Sequence, residues 1–239
     1  MDLNRIPALI YCTRIQQLGI TEVGAMKSKK ASMSADDAAR SRNIELAGAG
    51  VRSRLCKVGY MRPVIFLDMD DVLVISREFT SFQVISAFKA QDLDYPELWA
   101  GLVSPEARFN LAELHNEFQP EYVISSNWSS YLSQAQLQEI FQRTGLSFVA
   151  ENMHAQWTTP KGTGSPRVTE VENWIVKYRQ PEQAVLVLDD HESGWNLHEC
   201  QLDQQGLVVL CDEWTGFTAE KLLDAQRLLR AQLRDEPEP

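Results

Sequence analysis

Two apolar runs in this 239-residue chain end in paired carboxylates. Val64-Ile65-Phe66-Leu67 runs into Asp68-Met69-Asp70-Asp71, and Ala184-Val185-Leu186-Val187-Leu188 runs into Asp189-Asp190. Short apolar runs bounded by polar clusters predict central strands of a parallel sheet, buried on both faces. The carboxyl ends of such strands are where open α/β folds place chemistry. Asp68 and Asp70 are two positions apart, so on an extended chain their side chains point the same way, about 7 Å apart along the backbone. Like charges about 4 Å apart repel by about 4 kcal/mol at an effective dielectric near 20. A helix cap or a solvated turn explains either pair alone, but not both. A divalent cation resolves the conflict, and an all-oxygen donor set favours a hard ion such as Mg²⁺.

The run around Asp68 resembles the first motif of the haloacid dehalogenase-like (HAD) superfamily, Asp-x-Asp-x-(Thr/Val)-(Leu/Val) after an apolar strand, filled here by Asp68, Asp70, Val72 and Leu73. Tyr122-Val123-Ile124-Ser125-Ser126-Asn127-Trp128 is similar to the second motif, an apolar strand ending in Ser or Thr. Arg167, near the start of a helix, resembles the third, and Leu188-Asp189-Asp190 the fourth. The Ser-Ser-Asn-Trp segment, Thr159-Pro160, Arg167 followed by Glu170 and Trp174, and Gly216-Phe217-Thr218 resemble a narrower branch, the domain attached to RNA-repair proteins. The resemblance implies a Rossmannoid three-layer sandwich with a parallel sheet in the order 5-4-1-2-3. Too few residues separate the motifs for a large lid, so little or no cap is expected.

The resemblance also assigns roles. Asp68 becomes the nucleophile of a Mg²⁺-dependent phosphomonoesterase that works through an aspartyl-phosphate. Asp70 becomes the general acid and base, which calls for a carboxyl pKa raised by its neighbours. Halide-cleaving members lack this acid, so Asp70 points to phosphoryl transfer. Asp68, the backbone carbonyl of Asp70 and Asp189 would hold Mg²⁺, with Asp190 in support. Ser126 and the amide of Asn127 would bind phosphate, with Ser125 as the alternative hydroxyl. Arg167 would complete the phosphate site, and Lys161 is the competing cation. Three ionised carboxylates, a protonated Asp70, Mg²⁺ and Arg167 together leave the site near neutral before phosphate arrives. His191, Trp128, Trp157 and Trp195 fall in loops near this site, where an indole can stack on a base.

Charge divides the chain. Residues 1–60 carry a net +5 and residues 61–239 a net −15. An acidic body does not invite polyanions, because nucleic-acid binders usually present a basic stripe. The leading substrate is therefore a small phosphorylated metabolite or nucleotide. The 3′ or 5′ phosphate of a nucleic-acid end is the alternative, and a non-catalytic HAD-fold binding module the third reading. Cysteines at 12, 56, 200 and 211 have no CxxC spacing, as expected of reduced thiols in a cytoplasmic protein. Apolar runs of about five residues fall far short of the roughly 20 that span a bilayer. Ile6 to Cys12, broken by Pro7 and closed by Arg14, makes a poor signal peptide.

Residues 1–60 lack strand alternation and are rich in Ala, Ser, Lys and Arg, which predicts a poorly ordered or loosely helical extension. Met26, Met33 and Met61 can each start translation. The domain itself is expected over 61–239, in the order β-α-β-α-β-α-β-β-α. Ser104-Pro105, Ser133 and Ser165-Pro166 are helix starts, Ser147 to Ala150 is a short strand, and Ala219 to Arg234 is a closing helix. Val74 to Val103 is expected to hold a turn, a hairpin-like flap and a short insert.

Overall fold

The structure, a computed structural model, describes residues 61–234. The extension predicted over 1–60 lies outside the described residues. Five parallel strands, β1 (Val64–Leu67), β2 (Glu121–Ile124), β3 (Met153–Thr158), β4 (Val185–Asp190) and β5 (Val208–Cys211), form one sheet in the order β3-β2-β1-β4-β5. This is the expected order read from the opposite edge.

Side-chain alternation in the central strands builds two cores. Ile65, Leu67, Tyr122, Ile124, Leu186 and Leu188 face one apolar cluster, while Val64, Phe66, Val123, Val185 and Val187 face the other. The period of two, apolar at both phases, is what a sheet covered on both faces requires. The first face is covered by α3 (Pro105–Phe118), α4 (Gln134–Arg143) and α8 (Ala219–Arg234), through Leu111, Leu114, Leu137, Ile140, Leu222 and Leu229. The second is covered by α6 (Arg167–Tyr178), whose Trp174 meets Phe66 edge to face at 5.1 Å. Full burial of such side chains contributes roughly 1.5–3 kcal/mol each.

Helix starts follow their capping chemistry. Ser104 Oγ accepts the Ala107 N–H ahead of α3, with Pro105 at the first position, and Ser133 closes a capping box with Gln136 ahead of α4.

Three expectations are corrected. Ser147 to Ala150 is not a strand but α5 (Ser147–Glu151), and the third strand begins at Met153. Leu146 donates to Phe141 O at 2.7 Å, turning the chain tightly after Gly145 (φ +78°), and the next turn buries Val149 and Ala150. A short apolar run does not distinguish helix from strand by periodicity. The region from Val74 to Val103 holds no hairpin. Thr80 and Gln83 form a capping box that opens α1 (Ser81–Ala90), and Pro96 opens α2 (Pro96–Leu102). Val84, Leu98, Trp99 and Leu102 join the same cluster as Ile65, so this insert belongs to the body rather than to a lid. Finally, β4 and β5 are not directly joined, because a 3-10 turn (Trp195–Leu197) and α7 (Gln201–Gln204) intervene and bury Leu197 and Leu202.

Candidate active site

Strand register sets the site. Leu67 pairs with Ile124 on one side and Leu188 on the other. The next residues along, Asp68, Ser125 and Asp189, are therefore abreast at the carboxyl edge, tied by Asp68 N–H to Leu188 O (3.0 Å) and Ser125 N–H to Leu67 O (3.0 Å). All three are buried, as is Asp190. One carboxylate oxygen from each of Asp68, Asp189 and Asp190 can be chosen so that all lie within 4.8 Å of one another. The Asp70 carboxylate is outside that group of three. It accepts a hydrogen bond from Trp128 Nε1 at 2.8 Å instead.

The fourth element of the site is Arg167, the first residue of α6. Its Nη2 donates to Asp68 Oδ1 at 3.1 Å, and its Nε lies 3.0 Å from Asp189 Oδ2, an ion pair outside hydrogen-bond alignment. The competing Lys161 has a different task. Its Nζ donates to Ser125 O and to Glu170 Oε2, both at 2.7 Å, clamping the end of β2 to the first turn of α6. Arg167 therefore meets the carboxylates, and Lys161 braces their surroundings.

Among the described residues, the buried side-chain polar atoms that lack a hydrogen-bond partner are Ser125 Oγ, Arg167 Nη1 and Asp189 Oδ2. All belong to this site. Buried polar groups are normally satisfied, and each unmet one costs roughly 1–3 kcal/mol. Two unmet donors and an unmet carboxylate acceptor together fit an anion next to a cation. The donor set, all carboxylate oxygen, suits a hard divalent ion.

The electrostatics carry the same signature. Burial pushes the Asp68 carboxyl well above the usual carboxylate range, Asp189 pushes it further, and Arg167 opposes both. Burial likewise lifts Asp189 from 3.8 to about 6 against the pull of Arg167 and Ser193. Asp70 is raised by burial, with the Trp128 hydrogen bond holding it back. Lys161 is lowered by burial and then by the nearby Arg167 charge.

Ser126 Oγ accepts the Trp128 N–H at 3.4 Å, capping the 3-10 turn Asn127–Ser130. Its hydroxyl proton stays available for another acceptor. Asn127, Arg167, Glu170, Ser193 and Trp195 line an open cleft of about 340 Å³. Trp195 is 71% exposed there, whereas Trp128 is buried and serves Asp70 rather than offering a face to ligand. Trp157 packs against the core, and His191 Nε2 lies 3.4 Å from the Asp212 carboxylate.

Two contributors are absent from the sequence reading. Ser193 Oγ donates to Asp189 Oδ1 at 2.8 Å and also contacts Asp190 Oδ2, while the Glu192 and Ser193 amides donate to Asp190 Oδ1 at 2.6 and 2.8 Å. A Cβ on Gly194 would sit 2.6 Å from Asp190 O and 3.1 Å from Asp189 Oδ1, so only glycine lets this loop close over the pair. The signal was the Asp-Asp-x-x-Ser-Gly spacing, a turn in which the carboxylate accepts from amides two and three residues on.

A parallel sheet in this order, with carboxylates gathered at the ends of its two central strands, defines a HAD-like domain. The family described as "HAD domain in Swiss Army Knife RNA repair proteins" matches residues 64–222, and the chain belongs to it. No curated protein and no solved structure matches the chain. Membership points to a phosphatase-type hydrolase, and the buried carboxylates form a group able to hold a metal. Among the described residues no helix is long and apolar enough to cross a membrane.

Proposed function

We propose that the domain is a Mg²⁺-dependent phosphomonoesterase acting through an aspartyl-phosphate, on a small phosphorylated metabolite or nucleotide. The observation that carries this reading is the coincidence of unmet polar atoms on Arg167, Ser125 and Asp189 beside buried Asp68. Asp68, Asp189, Asp190 and the main-chain carbonyl of Asp70 would hold the metal, which when bound supplies charge neutralisation for the carboxylates and the phosphate.

Arg167 Nη1, the Asn127 amide and the hydroxyl of Ser126 or Ser125 bind the phosphate oxygens. Alanine at each serine separates the two, since the Ser125 hydroxyl has no other partner among the described residues and the Ser126 hydroxyl is already a cap. Asp68 attacks phosphorus, forming the Asp68 O–P bond as the bond to the leaving oxygen breaks. Asp70 passes its proton to that oxygen, a role its raised carboxyl pKa suits. Asp70 then takes a proton from water, whose oxygen attacks phosphorus and releases phosphate and the Asp68 carboxylate.

The family's description and the open clefts favour a second reading, in which the substrate is the 3′ or 5′ phosphate of a nucleic-acid end. The net −15 over residues 61–239 weighs against it. We further propose that 61–239 is the folding unit, and that it works in the cytoplasm, where its cysteines stay reduced.

Hydrolysis of an aryl phosphate should require Mg²⁺ and vanish in Asp68→Asn, a loss of several orders of magnitude. In Asp70→Asn, release of a poor alkoxide should slow far more than release of nitrophenolate, and acid quench should trap a phosphoenzyme. Unchanged turnover in Asp68→Asn, or full activity in chelator, refutes the reading. A fold that binds phosphates without hydrolysing any marks a non-catalytic module.

A further inference from the structure

Asp70 opens onto a second cleft, of about 410 Å³, whose other lining residues include Val74, Ile75, Arg77, Ser81 and Trp214. That volume is within the range of small-molecule sites. If Asp70 protonates the departing oxygen, as the phosphatase reading requires, the leaving group lies in this cleft. We propose that Arg77 and Trp214 form a platform that stacks on a planar ring of the leaving group. The substrate is then a phosphorylated nucleoside, either a free mononucleotide or the terminal residue of a strand.

The guanidinium carbon of Arg77 lies 4.0 Å from the centroid of the Trp214 ring, a cation–π pair, and both residues line the cleft. Trp214 is 52% exposed, so core packing does not account for its placement. Its backbone is unusual. Trp214 has φ +67°, and its N–H donates at 3.0 Å to the carboxylate of Asp71, itself at φ +53°. Left-handed backbone at non-glycine residues is uncommon and persists where the surroundings over-determine it.

Here the surroundings tie the indole to the turn that carries Asp70. Phe217 N–H donates to Val72 O at 2.9 Å, and a Cβ on Gly216 (φ +70°) would meet that same oxygen at 2.8 Å. Acid and platform thus ride on one clamped pair of loops. Stacking accepts any base, because every base has a π-face. Asp71 also lines the cleft and offers an acceptor to a sugar hydroxyl.

Calorimetry on the Asp68→Asn chain, which cannot turn over, tests this without relying on activity. The adenosine monophosphates, with phosphate at the 3′ or 5′ position, should bind about tenfold tighter than ribose phosphate. Trp214→Gly, which accepts the left-handed backbone, and Arg77→Met should each bring that ratio down to about two or less, leaving ribose phosphate affinity and melting temperature unchanged. A phosphate-ended oligoribonucleotide should show the same losses, and whichever of mononucleotide and oligonucleotide binds tighter names the source. Ring-blind binding, a ratio unchanged in both variants, or preference for a phosphotyrosine peptide overturns the proposal. Failure of the wild-type chain to hydrolyse any phosphomonoester would refute the phosphatase reading while leaving ring-dependent binding in place, so the two fail separately.

Discussion

Asp189→Asn should stabilise the metal-free protein, although it removes half of a buried ion pair. Asp189 is fully buried, its ordinary carboxyl pKa of 3.8 is lifted to about 6 by burial, and the attraction of Arg167 is already included in that rise. A rise from 3.8 to about 6, at about 1.4 kcal/mol per pH unit, means that holding the carboxylate ionised in the fold costs about 3 kcal/mol. Asparagine keeps the shape and removes the charge. Because the folded state binds this proton more tightly than the unfolded chain, metal-free wild type is favoured most below about pH 4, and that advantage is lost as pH rises through about 6. The variant has no such loss. Melts in chelator near pH 7 should therefore place it about 6–12 °C above wild type for a domain of this size. Saturating Mg²⁺ should invert the order, raising wild type and leaving the variant where it was. A variant less stable than wild type in chelator, or wild-type stability that climbs between about pH 4 and 6, would show that the Arg167 pair outweighs desolvation and refute the reasoning.

Gly194→Ala should weaken Mg²⁺ binding about ten- to a hundredfold and also lower the melt in chelator, because its Cβ would crowd Asp189 Oδ1 and the main-chain oxygen of Asp190. An unaltered Mg²⁺ titration counts against that steric account. Trp128→Phe removes the hydrogen bond that holds the Asp70 pKa down, so Asp70 stays protonated to higher pH and the alkaline limb of the kcat/KM profile should move up. An unmoved limb would mean that another group titrates there. A chain beginning at Met61 should melt cooperatively, since it keeps Arg62, which donates to Gln119 O at 2.7 Å and Asn152 Oδ1 at 2.6 Å. Aggregation of that chain while the full one folds would move the domain boundary.

The strands carrying Asp68 and Asp189 were legible because central parallel strands are apolar at both phases and end abruptly in charge. The edge strand was not. β3 reads Met-His-Ala-Gln-Trp-Thr, with Ala155 and Gln156 exposed, so it lacks the aliphatic run that identifies its neighbours. The preceding Ser-Phe-Val-Ala looked more strand-like and is a helix. Between the first two strands the start signals, Thr80-x-x-Gln83 and Pro96, are present in the sequence, but the expectation of a hairpin took no account of them. Arg167 was identified through its resemblance to the third HAD motif near a helix start, with Lys161 left as the competing cation. The task of Lys161 was not readable, because bracing Ser125 O against Glu170 joins residues from three parts of the chain.

The two-residue alternation of β1 makes the site intolerant of one kind of change in particular. Replacing Ile65 or Leu67 by another aliphatic alters how tightly one core closes, and its effect reaches the carboxylates only through stability. Deleting or inserting a single residue between Val64 and Leu67 acts differently. It exchanges the faces of everything that follows, bringing Met69 abreast of Asp189 or carrying Asp68 to the opposite side of the sheet. Aliphatic exchanges in this strand should therefore be tolerated in a mutational scan, while single-codon indels there should be uniformly null.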